Sequence, residues 1–228
     1  MVNTFRAKDE WQRKMRDKFL LPYYQRDGGR CIVFDDRGPF SLWMQENGID
    51  TIVFRPGGSV TSIEEKIVQW PIIKATGQPR ATGYDQIALE TQSCTVEGHQ
   101  SNGWMTYCNA MILFYCMANR EETALDCWMI DMPALHHWFW RHVNEFKTTM
   151  TDEDNHTLCS LVPIRLIREA GIKTWNVKLS MSAHEAANER AFQFVTGRST
   201  QGARNGQENS PDPHQRHDAT EGLATNAR

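Results

Sequence analysis

With 228 residues, 40% of them hydrophobic and 23% charged, the chain is long enough to bury one substantial core. Its net charge of −3 excludes the strongly basic balance that marks a nucleic-acid binder by composition alone. Six cysteines without a Cys-x-x-Cys pair, an N-terminus without an apolar signal core, and no apolar run long enough for a bilayer together lead us to expect a cytoplasmic, intracellular protein with no membrane partner.

In chain order, residues 9–21 predict a helix, with Trp11, Met15 and Phe19 on one stripe and Pro22 as its stop. This helix falls within a basic N-terminal stretch, where Lys14 and Lys18 are candidate phosphate contacts. Residues 30–34 predict a strand and 40–46 a short helix. Residues 50–54 and 60–68 predict two strands joined by the turn Arg55-Pro56-Gly57-Gly58-Ser59. A strand is expected at 86–91 and a polar connection at 99–104. The apolar runs 109–117 and 124–130 read as central strands. Pro133 opens a helix with Leu135, Phe139, Val143 and Phe146 on one face; 162–170 predicts another helix, stopped by Gly171, and 172–179 a last strand. Ser182 and Glu185 have capping-box spacing for a helix to about 195. From 198 onward large apolar residues nearly vanish, and we expect a disordered C-terminal tail over 198–228. The expected architecture is one mixed α/β domain over 1–197.

The chemistry concentrates around the Pro-Gly-Gly turn. If the flanking strands form a hairpin centred on Gly57, position 50 lies opposite position 64, with a constant residue sum of 114. Glu64 and Lys66 project from one side of their strand and Glu65 from the other. Asp50, Glu64 and Lys66 then converge. Two carboxylates about 5 Å apart repel unless a proton or cation lies between them, and hard oxygen donors suit Mg²⁺, with Mn²⁺ as an alternative. A metal with a neighbouring lysine supplies Lewis acidity, water activation and charge neutralisation for phosphodiester hydrolysis. Glu90, on the next predicted strand, is a further candidate metal ligand, or a partner for Ser93. Gln45, five residues before Asp50, is a secondary candidate reaching the site from a helix.

Asp50 followed by Glu64-Glu65-Lys66 on the next strand resembles the signature of the PD-(D/E)xK, or restriction-endonuclease-like, nucleases. Ile49 stands where that signature has proline. The segments Gln45-Glu46-Asn47-Gly48-Ile49-Asp50, Leu89-Glu90-Thr91-Gln92-Ser93 and Gly103-Trp104 are similar to phage and bacterial members of the superfamily. The resemblance implies a central mixed β-sheet flanked by helices, DNA as partner ahead of RNA, and cleavage that leaves a 5′-phosphate; it leaves a phage origin open. Asp50 and Glu64 would hold the metal and Lys66 would orient the attacking water. The competing reading is a non-catalytic nucleic-acid-binding or interaction protein on the same scaffold. The His136, His137 and His142 cluster and the cysteines match no metal-ligand spacing.

Overall fold

The computed structural model describes residues 4–35, 38–69, 85–94, 100–150 and 157–181. All belong to one compact unit, Met1–Ala183; the other unit, His184–Arg228, lies outside them, as do the helix expected from 182 and the tail from 198.

Alternating apolar strands build a six-stranded mixed sheet from β1 (Arg30–Val33), β2 (Thr51–Phe54), β3 (Val60–Gln69), β6 (Ile112–Ala118), β7 (Ala124–Asp131) and β10 (Thr174–Ser180), in that spatial order. β3 and β6 run parallel and every other neighbouring pair antiparallel. A parallel pair needs a long crossover. Here it carries β4 (Gln86–Cys94), β5 (Gln100–Asn102) and the single turn α4 (Trp104–Tyr107). With β8 (Lys147–Met150) and β9 (Leu158–Pro163), β4 and β5 form a second, antiparallel sheet in the order β5-β4-β9-β8.

Strand alternation gives the main sheet two apolar faces. Val53, Ile63, Ile67, Phe114, Cys116 and Cys127 pack beneath Met15, Phe19, Leu20 and Tyr24 of the N-terminal helices. Leu113, Tyr115, Met117 and Ile130 pack on the opposite face, against α5 (Met132–His142), α6 (Ile164–Glu169) and Ile87, Leu89 and Val162 of the second sheet. The molecule is therefore a mixed α/β fold whose central sheet is flanked by helices. Among the described residues no helix is long and apolar enough to cross a membrane.

Three local expectations need correction. Pro22 does not end the first helix. α1 (Thr4–Met15) passes through a π-helical turn, Arg16–Leu20, into α2 (Leu21–Gln25), and the Leu21 N–H bonds to the Arg16 carbonyl. The wider turn makes room for the proline ring, which would clash in a regular helix, and lets the consecutive Phe19 and Leu20 both face the core. The helix expected from 162 begins only at Ile164, because Leu158–Pro163 is strand. The supposed polar connection at 99–104 contains β5 and leads into α4.

Candidate functional site

The hairpin turn positions the site. β2 and β3 pair as Thr51↔Ile63 through Phe54↔Val60, so each pair sums to 114. The Arg55 N–H bonds to the Ser59 carbonyl at 2.9 Å, leaving Pro56–Gly58 as a three-residue loop. Gly57 and Gly58 have φ of 97° and 86°, a region other residues rarely adopt. One step beyond β2, the Asp50 N–H still bonds to the Ile63 carbonyl (2.9 Å), while Asp50 Oδ2 accepts the Glu65 N–H at 2.8 Å. The Asp50 side chain thus continues the sheet ladder past the end of its strand and lies between the two faces.

On one face stand Glu64 and Lys66. Glu64 is 3% exposed, and Lys66 Nζ lies 2.5 Å from Glu64 Oε1. The Lys66 ammonium also lies 5.0 Å from the centre of the Trp104 ring, a cation–π contact, while its side chain keeps 30% of its exposure. Burial raises the Glu64 carboxyl to about 8, and the neighbouring Asp50, within hydrogen-bonding reach, adds to the rise; Lys66 opposes it. For Lys66, burial alone would lower the ammonium pKa, but Glu64 and Asp50 outweigh it and the net shift is upward. These opposite signals have one cause: two acids share one base, and the cluster is one positive charge short.

On the other face stands Glu65, half-buried, with Oε1 accepting from Thr51 Oγ1 (2.7 Å) and Tyr24 Oη (3.0 Å). Burial and then Asp50 raise its carboxyl to about 7, against Thr51, Arg16 and Tyr24. Asp50 and Glu65 also line an open cleft of about 300 Å³ with Gln12, Arg13, Arg16 and Gln45. Gln45 reaches this cleft rather than the Glu64 face, and its amide nitrogen donates to the Phe34 carbonyl.

Glu90 sits on β4 near Lys66. Burial raises its carboxyl, while Lys66 and a hydrogen bond with Ser93 oppose the rise. Among the described residues no three His, Cys, Asp or Glu side chains are grouped to hold a metal ion, so the expected Asp50–Glu64–Glu90 trio is not assembled. Glu90 is drawn to Ser93 and Lys66 instead. Gly103 helps to shape this wall: a Cβ there would meet the Glu90 carbonyl oxygen at 2.4 Å. Only glycine lets α4 cross β4 closely enough to bring Trp104 over Lys66.

Lys14 and Lys18 are a correction. The N-terminal helices cover the face opposite Glu64 and Lys66. Lys14 Nζ bonds to Glu122 Oε2 and Lys18 Nζ to the Glu122 carbonyl, each at 2.7 Å, in the turn between β6 and β7. The helix residues that line the cleft with Asp50 are Asp9, Gln12, Arg13 and Arg16. Sequence reasoning also missed Trp104 and Tyr107. Burial raises the Tyr107 pKa, and Lys66, Glu64 and Glu90 all act on its hydroxyl. The resemblance includes Gly103-Trp104 but assigns it no role, because an aromatic residue in a polar loop carries no spacing signal. Neither a family model, nor a curated protein, nor a solved structure matches the chain.

Proposed function

We propose that the chain is a divalent-metal-dependent nuclease that hydrolyses DNA phosphodiesters, with RNA as the secondary substrate, through Asp50, Glu64 and Lys66. The observation that carries this reading is the pairing of the half-buried Asp50 with the buried Glu64, with Lys66 beside them and the group short of one positive charge. The donor set suits Mg²⁺ or Mn²⁺, since Mg²⁺ is commonly held by one or two carboxylates and completes its shell with water and substrate oxygens. One oxygen of each carboxylate is engaged, Asp50 Oδ2 by the Glu65 N–H and Glu64 Oε1 by Lys66; the other oxygen of each is the one a cation would use. The bound cation would supply Lewis acidity and a more acidic water. Lys66 keeps a fixed positive charge at the site, orients the attacking water and offsets the negative charge that develops at phosphorus. The Glu65 N–H holds the Asp50 carboxylate in place through Oδ2.

The non-catalytic alternative has one observation on its side: Lys66 already neutralises part of the Glu64 charge. Incubating end-labelled DNA with the full chain, in Mg²⁺ and in EDTA, separates the two readings. The nuclease reading expects cleavage in Mg²⁺, none in EDTA, and loss on the order of a thousandfold in Asp50→Asn. DNA binding that persists without cleavage under Mg²⁺, Mn²⁺ or any other divalent ion favours the alternative.

A further inference from the structure

Beside the Glu64–Lys66 face lies a second cleft, of about 470 Å³, whose lining includes Asn47, Tyr107, Cys108, Asn109 and His136. Its size falls within the range of small-molecule sites, roughly 300–1,000 Å³. Two of its residues tie it to the proposed centre. The Tyr107 hydroxyl feels Lys66, Glu64 and Glu90, and the Cys108 thiol feels Glu64, Lys66 and Asp50. Among the described residues the lining contains no Asp, Glu, Lys or Arg. A phosphate would find no permanent cation there, whereas a neutral planar group with hydrogen-bonding edges would find amides and rings.

The amides are pre-oriented. Asn109 Nδ2 donates to Asn47 Oδ1 at 3.1 Å, and Asn47 Nδ2 donates to the Trp43 carbonyl at 2.8 Å. Paired asparagines held in this way offer donor and acceptor groups at little further entropic cost. Aromatic side chains line and back the cleft. Tyr107 is 40% exposed within the cleft. On the α5 side the Trp140 indole N–H is shared between the Met105 carbonyl and His136 Nε2. Tyr107 of α4 thus lines the cleft and Trp140 of α5 backs it through His136.

We infer that this cleft seats an unpaired nucleobase adjacent to the phosphate held at Asp50, Glu64 and Lys66, so that the substrate class is single-stranded nucleic acid, or duplex ends with unpaired bases. A base exposes its flat face and hydrogen-bonding edge together only when it is out of the duplex. The inference rests on the nuclease reading for what lies next to the base, but base binding can be measured without cleavage.

The test is the anisotropy of fluorescein-labelled oligothymidylate, and of a labelled duplex of equal length, with the full chain in EDTA. Expected are at least tenfold tighter binding of the single strand, a loss of about tenfold in Tyr107→Ala and a loss of about fivefold in Asn109→Ala. Tyr107→Phe, which keeps the stacking ring, should bind within about twofold of the unaltered chain. Asn109 is exposed, so its variant keeps the test valid if Tyr107→Ala fails to fold. Equal affinity for duplex and single strand, or single-strand binding indifferent to both alanine variants, overturns the inference. Single-strand binding of the expected kind without cleavage in Mg²⁺ sinks only the nuclease reading. Cleavage of duplex and single strand alike, with no effect at Asn109 or Tyr107, sinks only the base site.

Discussion

Glu64 and Glu65 are adjacent in sequence, and in both the carboxyl pKa is raised, chiefly by burial and then by the same Asp50. Their partners differ in kind. Glu64 has a lysine at 2.5 Å that itself packs on Trp104; Glu65 has two hydroxyls, from Thr51 and Tyr24, with Arg16 acting on it electrostatically. A carboxylate held by neutral hydroxyls has its hydrogen bonds satisfied and supports the packing of α2 on the sheet. A carboxylate that shares one lysine with a second carboxylate is still short of charge and can take a cation. On the proposed reading, a one-residue step along a strand separates a structural acid from a chemical one.

The largest effects should appear in cleavage. Lys66→Ala and Glu64→Gln should each lower the rate by about 10²–10³-fold, while Glu65→Gln, which keeps acceptors for Thr51 and Tyr24, stays within a few-fold. Comparable losses in Glu64→Gln and Glu65→Gln would place the chemistry in the cleft that Asp50 and Glu65 share, on the wrong face for this account.

The next effect separates the faces by pH. Glu64 near 8 and Glu65 near 7 both lie above the ordinary carboxyl value, so the folded chain binds more protons than the unfolded chain between roughly pH 4.5 and 8. Their contribution to stability is then complete below about pH 4.5 and is lost as pH rises through 7 and 8. In EDTA the Tm should fall from pH 5 to pH 8.5. Glu64→Gln should flatten the upper part of that decline and Glu65→Gln the part nearer neutrality. Saturating Mg²⁺ should act as Glu64→Gln does, because a cation takes the place of the proton. A Tm that rises over this range contradicts the electrostatic account.

Truncating the structural acid should register in stability rather than in chemistry. Glu65→Ala leaves the buried Tyr24 hydroxyl without its acceptor and should cost about 1–2 kcal/mol, a Tm loss of a few degrees. Glu65→Gln should recover most of it. Equal thermal losses in the two variants would mean that the charge, not the hydrogen bonds, holds α2.

The smallest effect is expected at the far end of the N-terminal helix. Lys14→Ala and Lys18→Ala break contacts to Glu122 and should change stability by less than about 1 kcal/mol, with no more than a twofold change in DNA affinity, measured by anisotropy. A steep loss of affinity and a shallower salt dependence would restore the phosphate-contact role expected from sequence.

The parts of the site legible in the sequence are those set by local rules. Pro56-Gly57-Gly58 specified a three-residue loop, the loop specified an even register, and the register placed Asp50 opposite Glu64 with Glu65 turned away. What was illegible depends on distant partners. Lys14 and Lys18 looked like free basic residues because Glu122, more than a hundred positions away, carries no local mark. β8 has a single apolar side chain, the exposed Met150, so its period is invisible, and with it the second sheet that carries Glu90. The Arg16–Leu20 π-turn, which let the helix continue past Pro22, follows from packing Phe19 and Leu20 on the sheet rather than from helix propensity.

The central claim is that Asp50 and Glu64, and not Asp50 and Glu65, share a divalent cation. Calorimetric titration of Mn²⁺ into the full chain and into Asp50→Asn, Glu64→Gln and Glu65→Gln tests it most directly. The account predicts binding in the unaltered chain and in Glu65→Gln, and binding weakened at least tenfold in Asp50→Asn and Glu64→Gln. Binding that survives in Glu64→Gln but is lost in Glu65→Gln would contradict it.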